Sequence, residues 1–380
     1  MKKFIPLAML LAGAISLSAA PDDARVFRST TRYVDVDGIG LNYYNSGELM
    51  KLTGSLPGFA SRITRELSGN DVYAKVAQDG TGIVLKTLNL NACLASAGSI
   101  KNLPGGLQIT KTFIYTGKNG SMPGIFSRFN FQNDLETAKT LSSLPADVLF
   151  ALKIKAAPGE LFNSLNRNIK ASGNEMINMS FSMFLSLAAQ SGIDINQVMQ
   201  SINGDYLFLI AGKDQTSLRF MVVIPDTTSA IANILKTRMA KLQDPARNGV
   251  FNIKIPQAKK FGWQPAAVIR DKEIVLINDI ARLDIKTPAF APPAEYLRLL
   301  PAKGSSFSVI NLNREQIAML RELPENQRKL IQGYELKPYL AIGVGEYTQD
   351  GIRGTQITDF SWYSVGFKIS ELIATIQNNL

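Results

Sequence analysis

Three stretches of the chain present the same order of elements, and this repetition limits the possible folds more than any other feature. Residues 38–56, 146–169 and 305–323 each begin with β-prone or alternating residues and continue with helical spacing. In the second stretch, apolar residues alternate through 150–154 and then recur at helical intervals over 161–169. The phrases SGELMKL and PGELFNSL mark the first two strand-to-helix junctions. The sequence therefore predicts a recurring strand–helix unit.

A β-hairpin is predicted after each junction, at residues 68–90, 202–226 and 336–360. The first and third share the tripeptide Gln-Asp-Gly, at 78–80 and 349–351. Asp-Gly between two apolar runs favours a tight hairpin turn, because both turn residues adopt positive φ readily.

A helix is predicted after each hairpin, most clearly at 227–242 and 366–379, and strands at 106–116 and 250–257 then complete the first two copies. The order is that of the ferredoxin-like, split βαβ arrangement. We therefore expect an α+β protein of repeated βαββαβ-like units, each an antiparallel sheet with helices on one face. Chance similarity between short helix starts is the alternative.

The predicted domain boundaries follow the repeats and the linkers between them. Proline-rich and polar stretches separate the copies, and the third copy is expected to be truncated, without its last strand. The segments are a signal peptide at 1–20, an N-terminal strand segment at 21–37 with its strand at 25–36, unit 1 at 38–140, unit 2 at 141–290 and unit 3 at 291–380.

The second unit carries an insertion at 174–202. It is predicted to form a helix, a break at Ser191 and Gly192, and a short helix capped by Asp194. The first helix is apolar nearly all round, which is typical of a buried helix, and methionine adapts to varied partners. We expect this helix to help form an apolar groove beside the sheet, and either another unit of the chain or a ligand would cover that groove. The candidate groove residues are Met176, Met179, Phe181, Met183 and Phe184.

The phrase SGIDINQVMQSINGDYLFLIAG, at 191–212, follows a strand-plus-helix start after Leu-Pro-Ala. This pattern resembles an uncharacterised family of secreted bacterial envelope proteins, a domain of unknown function. The likeness extends over 141–240 and again over 296–380. The resemblance implies a location in the cell envelope and implies no catalytic residues.

The first twenty residues have the three parts of a secretory signal. Lys2 and Lys3 precede an apolar run at 4–17, and small residues follow at 18–20. Cleavage after Ala19 or Ala20 is predicted, and an uncleaved anchor is the alternative. No later transmembrane span is predicted. We expect a periplasmic or extracellular bacterial protein.

The composition excludes several kinds of catalysis. The chain has no histidine, which excludes Ser-His-Asp and Cys-His catalysis and His-ligated zinc. It has neither a P-loop nor a Ser-x-x-Lys motif.

Cys93, the single cysteine, is interpreted as a small packing residue. Residues 35–38 begin like a calcium loop but lack the later ligands. No enzyme activity, cofactor or metal is predicted; a carboxylate-dependent hydrolase of envelope polymers is the alternative.

The chain is basic, which favours acidic partners. The formal net charge is +10, and removal of Lys2 and Lys3 leaves 10 − 2 = +8. We expect a non-catalytic binding or scaffold protein whose partner is an envelope lipid, an acidic polymer or a protein, and not nucleic acid. A merely solvated face is the alternative for the densest basic stretch, which contains Lys236, Arg238, Lys241, Arg247, Lys254, Lys259 and Lys260.

Overall fold

The computed structural model describes residues 21–89, 92–117, 133–214, 216–256, 258, 262–321 and 338–359. Within these ranges, no helix is both long and apolar enough to cross a bilayer. The α-helices are α1 (Pro21–Thr31), α2 (Ser46–Ser68), α3 (Asp71–Leu88), α4 (Thr137–Ser142), α5 (Pro158–Ala171), α6 (Glu175–Gln190), α7 (Ile195–Ser201), α8 (Ala230–Arg238), α9 (Ala294–Leu299) and α10 (Arg314–Arg321).

One large antiparallel sheet organises the described residues. Its twelve strands lie in the order β1-β2-β3-β14-β13-β12-β5-β6-β7-β10-β9-β8, and β4 and β11 pair separately. The α+β class is therefore confirmed. The strands are β1 (Gly40–Asn45), β2 (Ala95–Asn102), β3 (Gln108–Tyr115), β4 (Leu135–Glu136), β5 (Val148–Ala156), β6 (Gly204–Ala211), β7 (Arg219–Pro225), β8 (Val250–Asn252), β9 (Ala266–Arg270), β10 (Glu273–Ile277), β11 (Lys303–Gly304), β12 (Ser306–Leu312), β13 (Tyr339–Thr348) and β14 (Gly351–Thr358).

The three predicted strand-to-helix junctions are present. They join β1 to α2, β5 to α5 and β12 to α10. In each case the first strand pairs antiparallel with the next main strand, giving the meanders β1-β2-β3, β5-β6-β7 and β12-β13-β14. The pairing differs from a split βαβ unit, in which the third strand lies between the first two. In the first meander, α3 packs back along α2 and returns the chain toward the end of β1, so β2 runs antiparallel to it.

The prediction of a hairpin at 68–90 is wrong, because these residues form α3. The side chain of Asn70 caps the helix by accepting hydrogen bonds from the backbone N–H groups of Val72 and Tyr73 at 2.8 and 3.4 Å. Asn89 ends it in the left-handed conformation, with φ of 48°. The Gln-Asp-Gly of 78–80 thus lies inside a helix, whereas the same tripeptide at 349–351 connects β13 to β14 as predicted.

The predicted strand at 25–36 is also wrong. Most of it belongs to α1, in which the hydroxyls of Thr30 and Thr31 donate to carbonyls one turn earlier. After the helix, Tyr33 stacks on Phe113 of β3 with ring centroids 4.0 Å apart, and Val34 is buried beside it. The segment therefore covers the sheet and does not extend it.

The remaining predictions agree with the structure in most places. The hairpin at 202–226 is β6–β7, the helix at 227–242 is α8 with a 3₁₀ turn after it, and the strand at 106–116 is β3. The strand predicted at 250–257 is shorter, since β8 covers only Val250–Asn252. The strand β2 and the β9–β10 hairpin were not predicted, and the helix at 366–379 lies outside the described residues.

Helices pack on both faces of the large sheet, whereas the prediction placed the helices of each separate unit on one face of its own sheet. The main core lies on one face, where Val309 and Ile342 pack with Tyr296 of α9. Because strand side chains alternate between faces, Ala267 and Ile274 point to the other face, where they pack against α8. The second unit therefore has its own core beneath α8.

Gly159 allows a close contact between α5 and α7. A Cβ atom at this position would lie 2.6 Å from the backbone oxygen of Met199. We expect Gly159→Ala to lower the free energy of unfolding by about 1–3 kcal/mol, because a backbone oxygen cannot move aside easily. Chemical denaturation measures this. The control is Gly58→Ala in α2, where a Cβ meets open space and stability is expected to rise by up to about 1 kcal/mol.

Candidate functional site

The inserted helix α6 is attached to the rest of the chain along one side. Asn174 caps its first turn, accepting a hydrogen bond from the backbone of Ile177 at 3.1 Å, and donates its amide to Asp79 of α3 at 2.8 Å. Phe181 packs beside Phe162 of α5, with ring centroids 5.8 Å apart. These contacts fix the helix against α3 and α5. The predicted break after it and the cap of α7 by Asp194 are both present.

The apolar side chains of α6 mostly face solvent, so the prediction that this helix is buried is wrong. No residue of α6 is buried. Its exposed apolar residues recur at helical spacing and form one stripe, which we call the α6 stripe. Its members and their exposed fractions are Met176 39%, Met179 69%, Met183 59%, Phe184 51% and Leu187 55%.

The predicted basic patch is exposed where the structure describes it. Lys236 and Arg238 lie in the last turn of α8, and Lys241, Arg247 and Lys254 follow; Lys259 and Lys260 lie outside the described residues. Within the described part of the chain, none of these five side chains lies within 4 Å of a carboxylate. The guanidinium of Arg238 lies against Gly192 in the α6–α7 loop. The structure thus brings one end of the basic patch to the inserted helices.

A cavity of about 270 Å³ lies between α8 and the sheet. We call it the α8 cavity. It was not predicted, because its walls come from strands far apart in sequence, including the β9–β10 hairpin. Apart from Asn252, every wall residue is apolar: Ile224, Ile231, Leu235, Met239, Leu242, Phe251, Ile253, Ala267, Ile274 and Leu276.

The size and chemistry of the α8 cavity make it unlike an ordinary packing defect. Protein interiors hold few voids larger than a water molecule. The α8 cavity is partly open to solvent, so its apolar walls are in contact with water. Filling the cavity with apolar atoms would remove these walls from water and would therefore be favourable.

Helix α8 is held over the cavity by Asp226. Its buried carboxylate accepts hydrogen bonds from the backbone N–H groups of Ile231 at 3.1 Å and Ala232 at 2.8 Å. The hydroxyl of Ser201, at the end of α7, donates to the same carboxylate. The carboxylate thus satisfies two of the free N–H groups in the first turn of α8 and suits the positive end of its dipole. The hydrogen bond from Ser201 also ties the cavity to the inserted segment.

Buried carboxylates in the described residues are engaged in structural contacts. Asp147 binds Arg219, Asp226 caps α8, Asp279 binds Arg282 at 2.9 Å and Asp350 accepts from Tyr33 at 2.9 Å. Each of these carboxylates therefore has a role in holding elements together.

Cys93 is half-buried, and this burial raises the pKa of its thiol. A raised pKa disfavours the reactive thiolate at neutral pH, in agreement with a packing role. Among the residues the structure describes, no group of three or more acidic or cysteine side chains is placed to hold a metal ion.

Comparisons with known proteins give no relative for this chain. It matches no protein-family model, no curated protein and no solved structure.

Proposed function

We propose that this chain is a non-catalytic protein of the bacterial cell envelope that binds an apolar or acidic envelope ligand, or acts as a scaffold there. It belongs to the secreted family that its sequence resembles and is exported to the periplasm or the cell surface. The first 19 or 20 residues are removed as a signal peptide, since their charged, apolar and small-residue regions are those of a secretory signal.

The observation that carries this proposal is the exposed α6 stripe. Contiguous apolar patches on soluble proteins mark interaction sites. Glu175 is the only charged residue of α6, so little opposes burial of the stripe against an apolar surface. Methionine side chains adapt to irregular partners because they are unbranched and polarisable. The stripe therefore has the chemistry of a contact surface for a lipid or for an apolar helix of a partner.

The carboxylates support a binding role over the alternative of a hydrolase. A carboxylate-dependent hydrolase needs two facing carboxyl groups in a cleft. Asp147 and Asp226 are instead occupied by a guanidinium and by helix N–H groups. The α8 cavity contains no carboxylate. A general acid or base would have to come from a different part of the molecule.

The three junctions support an internal repeat. β1, β5 and β12 each open a three-stranded antiparallel meander and each lead directly into a helix. We propose that the three units have a common origin, with α6 and α7 as an addition to the second. In the described residues, one helix (α3) follows α2 in the first unit, whereas α6 and α7 follow α5 in the second. The α6 stripe makes the second unit the candidate for the binding role.

Removal of the α6 stripe is expected to reduce the binding of a neutral apolar dye. The test compares Nile red fluorescence of the mature protein with that of the double variant Met179→Ser/Met183→Ser, for which we expect a loss of at least half of the signal. The control, Val36→Ser/Ile39→Ser, removes two side chains that are 63% and 66% exposed and should change little. The proposal fails if the methionine pair has no effect and protein purified from its native envelope carries neither lipid nor a partner protein.

A further inference from the structure

We propose that the α8 cavity binds the hydrocarbon chain of a single-chain anionic amphiphile, such as a long-chain carboxylate, with the anionic head on the neighbouring lysines. This inference rests on the proposed binding function and names a ligand class and a second site for it. The site is formed by α8 and by strands β7, β8, β9 and β10.

The walls of the cavity require an apolar occupant. Ile224, Ile274 and Leu276 line it from the sheet, and Leu235 lines it from α8. A ligand with buried polar groups would leave them without hydrogen-bond partners, which is unfavourable. Asn252 is the one wall residue with a polar side chain. A hydrocarbon chain satisfies these walls because it needs no partner.

The volume favours one chain and not a bulkier ligand. Pockets for drug-sized molecules range over about 300–1,000 Å³, and the α8 cavity, at about 270 Å³, lies just below that range. Met239, whose side chain is 40% exposed, lies on the wall directly after the end of α8. Its flexible side chain can adjust to chains of different length.

The charge around the cavity favours an anionic head. Lys236 follows the wall residue Leu235, Lys241 precedes Leu242, and Lys254 follows Ile253. All three lysines are exposed, and within the described ranges no carboxylate lies within 4 Å of them. Each lysine is adjacent in sequence to a wall residue, so its long, flexible side chain can reach a carboxylate head at the edge of the cavity and attract it electrostatically.

The first test is a chain-length series with the mature protein after removal of bound lipid. Isothermal titration calorimetry at low salt measures the dissociation constants of straight-chain carboxylates with 8 to 14 carbons. We expect the affinity to rise about fourfold with each methylene group until the cavity is full and then to level off. The matched uncharged alcohol should bind more weakly, and added salt should weaken the carboxylates more than the alcohol.

Two variants locate the binding. Ala267, 3% exposed, points into the cavity from β9, and Ala267→Phe should weaken carboxylate binding at least about tenfold by filling it. Lys236→Glu/Lys254→Glu should weaken the carboxylates about tenfold and the alcohol little. The control is Lys170→Glu, an exposed lysine on α5. Thermal unfolding checks each variant; if Ala267→Phe does not fold, the lysine pair and the chain-length series decide.

The inference is overturned if none of the carboxylates binds, if the affinity keeps rising along the chain-length series without a plateau, or if a carboxylate and its matched alcohol bind with equal affinity. Loss of carboxylate binding in Lys170→Glu equal to that in the lysine pair also overturns it. If carboxylates do not bind while Nile red binding still depends on Met179 and Met183, only this inference fails. If both are absent, the proposed binding function fails with it.

Discussion

Replacement of Arg219 with methionine is expected to lower the free energy of unfolding by about 3–5 kcal/mol, which is the largest effect we predict. The Arg219 guanidinium donates two hydrogen bonds to the Asp147 carboxylate, at 2.9 and 2.8 Å, and the two side chains are only 6% and 2% exposed. The variant leaves the buried carboxylate without its cation, so the cost of its desolvation is no longer offset. Urea denaturation followed by circular dichroism measures the change.

An exposed ion pair of the same length provides the control. Lys101 lies 2.8 Å from Asp37, but the two side chains are 38% and 71% exposed. Lys101→Met should therefore change the free energy of unfolding far less than Arg219→Met, because solvent screens the exposed pair. The double variant Arg219→Met/Asp147→Leu should recover part of the loss, because it leaves no unpaired charge. A loss below about 1 kcal/mol in Arg219→Met would show that water reaches Asp147 and that the pair is not buried in solution.

Replacement of Asp226 with alanine is expected to lower the free energy of unfolding by about 2–5 kcal/mol. Loss of the cap on α8 accounts for about 1–2 kcal/mol, and the buried hydroxyl of Ser201, left without its acceptor, accounts for about 1–3 kcal/mol. Because α8 forms one wall of the cavity, the same variant should also increase amide hydrogen exchange at Ile231 and Ala232. Denaturation and hydrogen exchange together test both effects.

Asp214 offers a matched control for Asp226. Its carboxylate also accepts a backbone hydrogen bond, from Ser217 at 2.8 Å, but it lies in the exposed turn between β6 and β7. Asp214→Ala should cost less than about 1 kcal/mol and leave exchange in α8 unchanged. Equal losses in the two aspartate variants would contradict the view that burial makes the Asp226 cap important.

The sequence contains enough local information to locate most junctions between elements, but it does not determine which strands become neighbours. The alternation at 150–154 and the helical spacing after it correctly predicted β5 and α5. Gln-Asp-Gly shows the limit of such signals. The tripeptide forms a turn at 349–351, yet at 78–80 it lies within α3. Helix α3 buries Ala74 and Ile83 against other elements, and this packing outweighs the local preference for a turn.

The candidate site was predictable only in part, for a related reason. The composition of α6 indicates an apolar helix, but burial depends on what covers it, and Phe181 packs against α5 while Met179 and Met183 face solvent. The basic residues after α8 were visible as a cluster in the sequence. The α8 cavity was not, because it forms only when the β9–β10 hairpin joins β7 and β8 in one sheet.

The order of strands in the large sheet has a consequence for how the chain is made. Strands β12, β13 and β14 come last in the chain among the described strands of the sheet. They lie between β3 and β5, with β14 paired to β3 and β12 paired to β5. Until they emerge from the ribosome, the two earlier groups of strands each keep an open edge, and open edges promote aggregation. A chain that stops before Ser306 would therefore lack the connection between its two halves and would not simply lose a terminal module.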